Sequence, residues 1–279
     1  EYAYDDWAIA RMAEALGNKE VADEYYRRAL NYMNVFDGNT CFFRGRNLDG
    51  SWVTPFETYA TGRDYTEATP WHYRFFVPHD VNGLVQNYPS KEEFIKALDD
   101  LFTLETEMAI EVSDVTGLKG QYAHGNEPSH HMAYLFSYVG QPWQTQMYTR
   151  TLLDEMYQPT PEGIIGNEDA GQMSAWYILS SLGFYSVCPG SNEFVLTTPL
   201  FDEAVIKLAN GKTLTIKANN PAKNMYIKDV VLNGEKIDMN YITYDQIMNG
   251  GELVYTLAAE PCMERGVAPD TAPYSLTEA

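Results

Sequence analysis

Three acidic motifs could do chemistry. In YTEATPW, Glu67 precedes Thr69-Pro70, and proline suits the first position of a helix. In HGNEPSHH, Glu127 stands directly before Pro128. In GNEDAGQMSAW, Asp169 falls at the expected N-cap of a helix, with Glu168 beside it. Each carboxylate lies where a loop hands over to a helix N-terminus. Free N–H groups and the helix dipole favour negative charge there, so Asp169 is expected to stay ionised, as a general base must. Glu67 stands farther from its helix, among Tyr65, Trp71 and Tyr73. Drier surroundings there would raise its pKa, as a general acid requires. A structural reading competes at each motif. An Asp N-cap is worth about 1 kcal/mol as a cap alone, and Glu127 beside Asn126 can simply anchor a loop.

Asn126 and Glu127 also suit a hard cation, since calcium takes carboxylate and carbonyl oxygens and completes its shell with water. There is no EF-hand loop. His124, His130 and His131 raise the question of zinc, but adjacent histidines on a helix point apart and no HExxH occurs. His79, in VPHDV, is either a pocket residue or a satisfied structural histidine. The sequence shows no phosphate-binding glycine loop, serine nucleophile elbow or reactive-cysteine motif.

The elements that must position these motifs are read from periodicity. Residues 2–16 place Trp7, Ile9, Met12, Ala13 and Leu16 near one helical stripe, and Gly17 can end it. Residues 20–36 carry Val21, Tyr25, Ala29, Tyr32 and Phe36 at helical spacing. A loop at 37–64 holds Phe42, Phe43, Trp52 and Phe56, and loops of that length are often functional. Further helical runs follow in TPWHYRFFV, HDVNGLVQNY, SKEEFIKALDDLFTLE (Ser90 and Glu93 at capping-box spacing), EPSHHMAYLFSYVG, PWQTQMYTRTLLDEMY and AGQMSAWYILSSLG. Paired helices with intervening loops predict a helical toroid or solenoid. In such a toroid the inner helices run the same way, so carboxylates far apart in sequence can converge at one end. After about residue 184 the pattern becomes short and β-rich, with turns at ANGKT and LNGEK, and predicts an antiparallel sheet. The expected class is mainly α with a C-terminal antiparallel β region.

The 279 residues suit one large domain or two modest ones, and 45% hydrophobic residues supply a core. A net charge of −20 argues against nucleic acid and anionic membranes as partners. No stretch approaches the roughly 18 apolar residues of a membrane span. Cys41, Cys188 and Cys262 lie too far apart for a zinc pattern or a disulfide framework. The 21 tyrosines offer flat faces with a polar handle, useful for sugars and for ordinary cores alike. The chain starts at Glu1 and enters a helix at once, which reads as part of a longer protein whose targeting signal would lie outside it.

Taken together, EYAYDDWAIARMAEALG, YTEATPWHYRFFVPHDVNGL, GNEPSHHMAYLF and GNEDAGQMSAWYILSSLGFYSVCPG resemble glycoside hydrolase family 92, the calcium-dependent α-mannosidases. The similarity runs on to LNGEKIDMNYITYDQIMNGGELVYTL. It implies exo-hydrolysis of α-linked mannosides with inversion, with α-1,2-linked N-glycan or mannan substrates, on an (α/α)6 barrel preceded by a β-sandwich domain. It assigns the general acid to Glu67, the general base to Asp169 and calcium ligands to Asn126 and Glu127. Substrate contacts are expected at Trp71, His124 and Glu168. On this reading residues 1–184 are the C-terminal part of the barrel and 185–279 a β-rich region, while the N-terminal β-sandwich and the early barrel helices lie outside the chain. The parent would be secreted, periplasmic or cell-surface. Asn167 stands where some members carry an assisting Asp. Ala68-Thr69-Pro70 replaces the usual Gly-Asn-Ala after the acid, and Gln121 to His124 occupy the stretch that influences linkage.

In an inverting enzyme the two carboxyl groups stand about 6.5–9.5 Å apart, leaving room for water. The same-class alternative is a retaining glycosidase, with a separation near 5 Å. The different-class alternative is a sugar-binding or scaffold relative that has lost catalysis. Helix faces exposed by missing barrel helices would favour self-association or pairing with the N-terminal portion.

Overall fold

Gly17, at φ 74°, ends the first helix where its lack of Cβ predicts a stop. The computed structural model describes residues 1–62, 64–105 and 115–278. They form two units, Glu1–Ser129 with Ser275–Ala279, and His130–Tyr274.

In the first unit, α1 (Tyr2–Ala15) packs on α2 (Lys19–Arg28), which Asn18 caps by accepting from the Val21 N–H. Ala3, Asp6, Trp7, Ala10 and Ala13 form the buried face of α1. The expected stripe therefore divides. Trp7 and Ala13 are inside, whereas Ile9, Met12 and Leu16 are exposed. Small residues at 3, 10 and 13 let α2 approach closely, and the larger apolar side chains form a second stripe with Tyr2 on the other side. The buried Asp6 carboxylate pairs with Arg28 at 3.0 Å. The second helical run stops at Arg28, and residues 31–35 tighten into a 3₁₀ turn.

The long loop opens with a short hairpin, β1 (Phe36–Asp37) and β2 (Phe42–Phe43). Next come α3 (Pro70–Tyr73), α4 (Val81–Gln86) and α5 (Lys91–Thr103). Ser90 caps α5 by accepting from the Glu93 N–H at 3.2 Å. A second hairpin pairs β3 (Leu118–Lys119) with β4 (Tyr122–Ala123). Asp80 is fully buried and gathers five donors: the Tyr32 hydroxyl, the Gly83 N–H, the Ser275 hydroxyl, and both the N–H and hydroxyl of Thr277. Its neighbour His79 donates from Nε2 to the Ala29 carbonyl at 2.9 Å, a structural use of that residue.

In the second unit the run predicted as one helix in EPSHHMAYLFSYVG is instead a 3₁₀ segment, Met132–Tyr138, with every residue buried. It packs on α6 (Pro142–Met156), and α7 (Gln172–Leu182) follows. A three-stranded sheet, in the order β11-β6-β5, joins β5 (Phe184–Tyr185), β6 (Glu193–Leu196) and β11 (Tyr241–Thr243). A five-stranded sheet is built from β7 (Glu203–Lys207), β8 (Thr213–Ala218), β9 (Tyr226–Leu232), β10 (Glu235–Lys236) and β12 (Gly251–Ala258). A short helix, α8 (Tyr244–Asn249), leads into β12.

Two expectations about class need correction. Helix makes up 37% and strand 19% of the described residues, so the chain is mixed rather than mainly α. The larger sheet is mixed too. Its order is β10-β9-β12-β8-β7, with β12 parallel to β8. Strand β12 lies between β8 and β9 because Leu253, Tyr255 and Leu257 bury one whole face, while β7 exposes Glu203, Val205 and Lys207 and suits an edge. The β9–β10 turn uses Asn233 and Gly234, both left-handed, as the Asn-Gly pair requires.

Gly251 starts β12 at φ 106°, and a Cβ there would lie 1.8 Å from Asn233 Oδ1. That amide oxygen accepts from the Glu252 N–H. Gly251→Ala is expected to cost about 2 kcal/mol through overpacking and left-handed strain, measured as a lower urea midpoint at unchanged m-value.

Candidate functional site

The Glu67 turn is built from beneath. Glu67 has φ 51°, an uncommon backbone for a non-glycine residue, and its side chain is exposed. The drier surroundings expected for it are not there. The buried residues are those that follow it, Ala68, Thr69, Pro70, Trp71 and His72. Thr69 is the N-cap of α3 and Pro70 its first residue. The Thr69 N–H donates to His72 Nδ1 at 3.0 Å, so that nitrogen carries no proton. Burial pushes the His72 pKa down to about 4, which keeps the acceptor available at neutral pH.

Trp71 is 5% exposed. It meets Phe42 edge-on at 5.2 Å and carries the Arg74 guanidinium 4.7 Å from its ring centre. Its indole N–H is buried and has no hydrogen-bond partner among the described residues. Arg74 lies among Phe42, Trp71, Phe75 and Tyr88 and donates to the Cys41 carbonyl and the Tyr88 hydroxyl.

Asn126 ties the second motif to the first. Its side-chain amide donates to the Glu67 backbone carbonyl at 3.0 Å. Glu127 begins a 3₁₀ turn, Glu127–Ser129, rather than an α-helix. Its Oε1 is buried without a hydrogen-bond partner among the described residues. A carboxylate oxygen left unsatisfied in this way fits a cation that the residues present would help to hold. Among the described residues, no group of three or more His, Cys, Asp and Glu could hold a metal, so these two side chains would need carbonyls and water to complete a shell. His124 is fully buried, with Nδ1 2.9 Å from the Tyr122 hydroxyl. Within the same unit a cleft of about 520 Å³ is lined by Asp6, Arg28, Tyr32, Tyr65, Thr66 and Tyr73, among others, so one of its walls runs up to the residue before Glu67.

The third motif lies in the second unit. Asp169 is exposed, and among the described residues nothing hydrogen-bonds to its carboxylate. It is not the N-cap of α7. That position belongs to Gly171, and Asp169–Gly171 form a separate 3₁₀ turn. Glu168, at φ 53°, and Ala170, at φ 50°, are left-handed, as is Gly171 at 79°. Two extra reversals inside the motif displace the cap two residues beyond the position that spacing predicts. The Glu168 carboxylate accepts from the N–H and hydroxyl of Ser174, and these bonds hold its pKa below the usual range. Beneath the first turn of α7, Tyr157 stacks on Trp176 at 5.9 Å and donates to the Met173 carbonyl, while Gln172 bridges His130 and Tyr185. Sequence reading passed over His72, Gln172 and Ser174. Only His72 carried a signal, as the third residue of a helix capped by threonine.

Residues 1–259 match the glycosyl hydrolase family 92 catalytic domain. A family GH92 α-mannosidase of Bacteroides thetaiotaomicron, solved in complex with mannoimidazole, is 40% identical, with a TM-score of 0.94 over 99% of this chain and 37% of its own. A family GH92 inverting mannosidase from Bacteroides thetaiotaomicron VPI-5482 is 38% identical, with a TM-score of 0.89 over 99% of this chain and 39% of its own. An uncharacterized secreted glycosidase of Arthroderma benhamiae is 28% identical over 93% of this chain and 35% of its own. The chain therefore spans little more than a third of the length of these relatives.

His72 binds fewer protons folded than unfolded, so its contribution to stability is complete above its ordinary pKa of 6.5 and is lost as the pH falls towards 4. The unfolding free energy from urea titrations is expected to drop across that window, by up to about 3 kcal/mol. His72→Gln keeps an acceptor for Thr69 and should flatten the slope.

Proposed function

Because the chain belongs to glycoside hydrolase family 92, we propose that it carries the C-terminal part of the catalytic barrel of an α-mannosidase, with Glu67 as general acid and Asp169 as general base. The observation that carries this reading is the bond from Asn126 to the Glu67 carbonyl, which fixes the acid's turn to the loop bearing the unsatisfied Glu127 oxygen. An acid and a sugar-orienting site must be held in register, and this bond does so without occupying the Glu67 carboxyl. Asn126 and Glu127 would hold calcium through their oxygens. Calcium bound there would supply a Lewis-acid site for sugar hydroxyls and favour a distorted ring. Glu67 would donate its proton to the leaving oxygen. Asp169, free of partners in its turn, would take a proton from water on the opposite face of the sugar.

Residues 1–184 belong, on this reading, to an (α/α)6 barrel and 185–279 to a β-rich region beside it. Trp71 and Arg74 support the acid's turn from below, and His124 lies behind the calcium loop. The substrates would be α-mannosides of N-glycans or mannan, taken from the non-reducing end, with α-1,2 linkages foremost. The likeness to a secreted fungal glycosidase supports a secreted, periplasmic or cell-surface parent. No helix among the described residues is long and apolar enough to cross a membrane.

In the full-length protein, Glu67→Gln and Asp169→Asn should each lower kcat on mannobiose by about 10²- to 10⁴-fold. NMR early in the reaction should show β-mannose as the first product. Parental rates in both variants would overturn the assignment, and α-mannose would mark a retaining enzyme. Glu127→Ala should weaken calcium binding, read by calorimetry, by about tenfold or more. The exposed stripe of Tyr2, Ile9, Met12 and Leu16 supports pairing with the N-terminal portion or self-association. Light scattering of the 279-residue chain alone should therefore report more than a monomer.

A further inference from the structure

We propose that Glu168 and Ser174 form a clasp that positions Asp169, so that Glu168 serves the base through the backbone rather than by touching sugar. This rests on the reading of Asp169 as the base. Helix α7 begins at Gln172, and its N-cap, Gly171, has no side chain to offer the free N–H groups of the first turn. Glu168 supplies the missing acceptor from six residues upstream. Its Oε1 takes the Ser174 N–H at 3.1 Å, and its Oε2 takes the Ser174 hydroxyl. The Gly171 N–H closes the same ring onto the Glu168 carbonyl at 3.2 Å.

Asp169 lies inside that ring, flanked by the left-handed residues Glu168 and Ala170. A turn with two left-handed non-glycine residues is not self-supporting, and the clasp spans it from end to end. Both oxygens of Glu168 are engaged by Ser174, whereas the Asp169 carboxylate has no hydrogen-bond partner among the described residues. The two adjacent acids thus divide the work, one anchoring the turn and the other free to meet water. Tyr157 and Trp176 hold the first turn of α7 from the other side, so the clasp closes onto a fixed base.

The test is kinetic, on mannobiose with the full-length protein. Ser174→Ala should lower kcat by about ten- to a hundredfold while KM stays within about twofold, since misplacing a reacting group by about 1 Å costs that much. Ser174→Thr keeps the hydroxyl and should recover most of the rate, which loss of packing alone would not allow. Should Ser174→Ala fail to fold, Glu168→Gln gives the same reading, because the amide keeps the size and loses one of the two acceptors; its kcat should fall at constant KM. Parental kcat in these variants, with Asp169→Asn inactive, would overturn the clasp and leave the base in place. A loss confined to KM would mark Glu168 as a sugar contact and overturn the proposal. Parental kcat in Asp169→Asn would overturn the base assignment, and the clasp with it.

Discussion

A carboxylate that works at a solvent-facing surface cannot be held by burying it. It has to be fixed through the backbone that carries it. Glu67 and Asp169, the proposed acid and base, are both exposed, and both sit in turns where non-glycine residues take left-handed φ values. Such turns cost free energy, and they persist only where neighbours over-determine them. The neighbours differ. Under Glu67 the work is done by the Asn126 amide and the His72–Thr69 bond. Under Asp169 it is done by Glu168 reaching forward to Ser174. In each case neighbouring side chains fix the turn, and among the described residues nothing hydrogen-bonds to the carboxylates of Glu67 and Asp169 themselves.

The packing beneath the Glu67 turn follows from the same need. Arg74 is buried among four aromatic rings and bonds to a carbonyl and a phenol. A guanidinium suits that place better than an ammonium, because it is flat, stacks well and is weakly hydrated. It stiffens the Trp71 face of α3 without placing a competing carboxylate near Glu67.

Much of this was legible in the sequence, and the parts that were not share a cause. Gly17, the Ser90 cap, the Thr69-Pro70 start and the Asn233-Gly234 turn each depend on one or two adjacent residues, so local chemistry was enough. The stripe on α1 was misplaced because periodicity marks two faces, Trp7 with alanines and Ile9 with Met12 and Leu16, and cannot say which one meets α2. The parallel pairing of β12 with β8 depends on residues some forty positions apart. At the site, the helix start at Pro70 was readable, whereas the 3₁₀ turn at Glu127 and the cap of α7 at Gly171 were not. Composition gives no sign that Glu168 and Ala170 turn left-handed, nor that an acid four residues before α7 takes the N–H of Ser174 in its first turn.

The five donors on Asp80 have a consequence for synthesis. Two of the residues that supply them, Ser275 and Thr277, lie 195 and 197 positions downstream. While a ribosome is making the chain, this buried carboxylate waits for partners that have not been translated. The first unit is thus the earlier to emerge and the last to be completed. A nascent chain stalled anywhere in the second unit would leave it with a polar gap at its centre, open to chaperones and proteases.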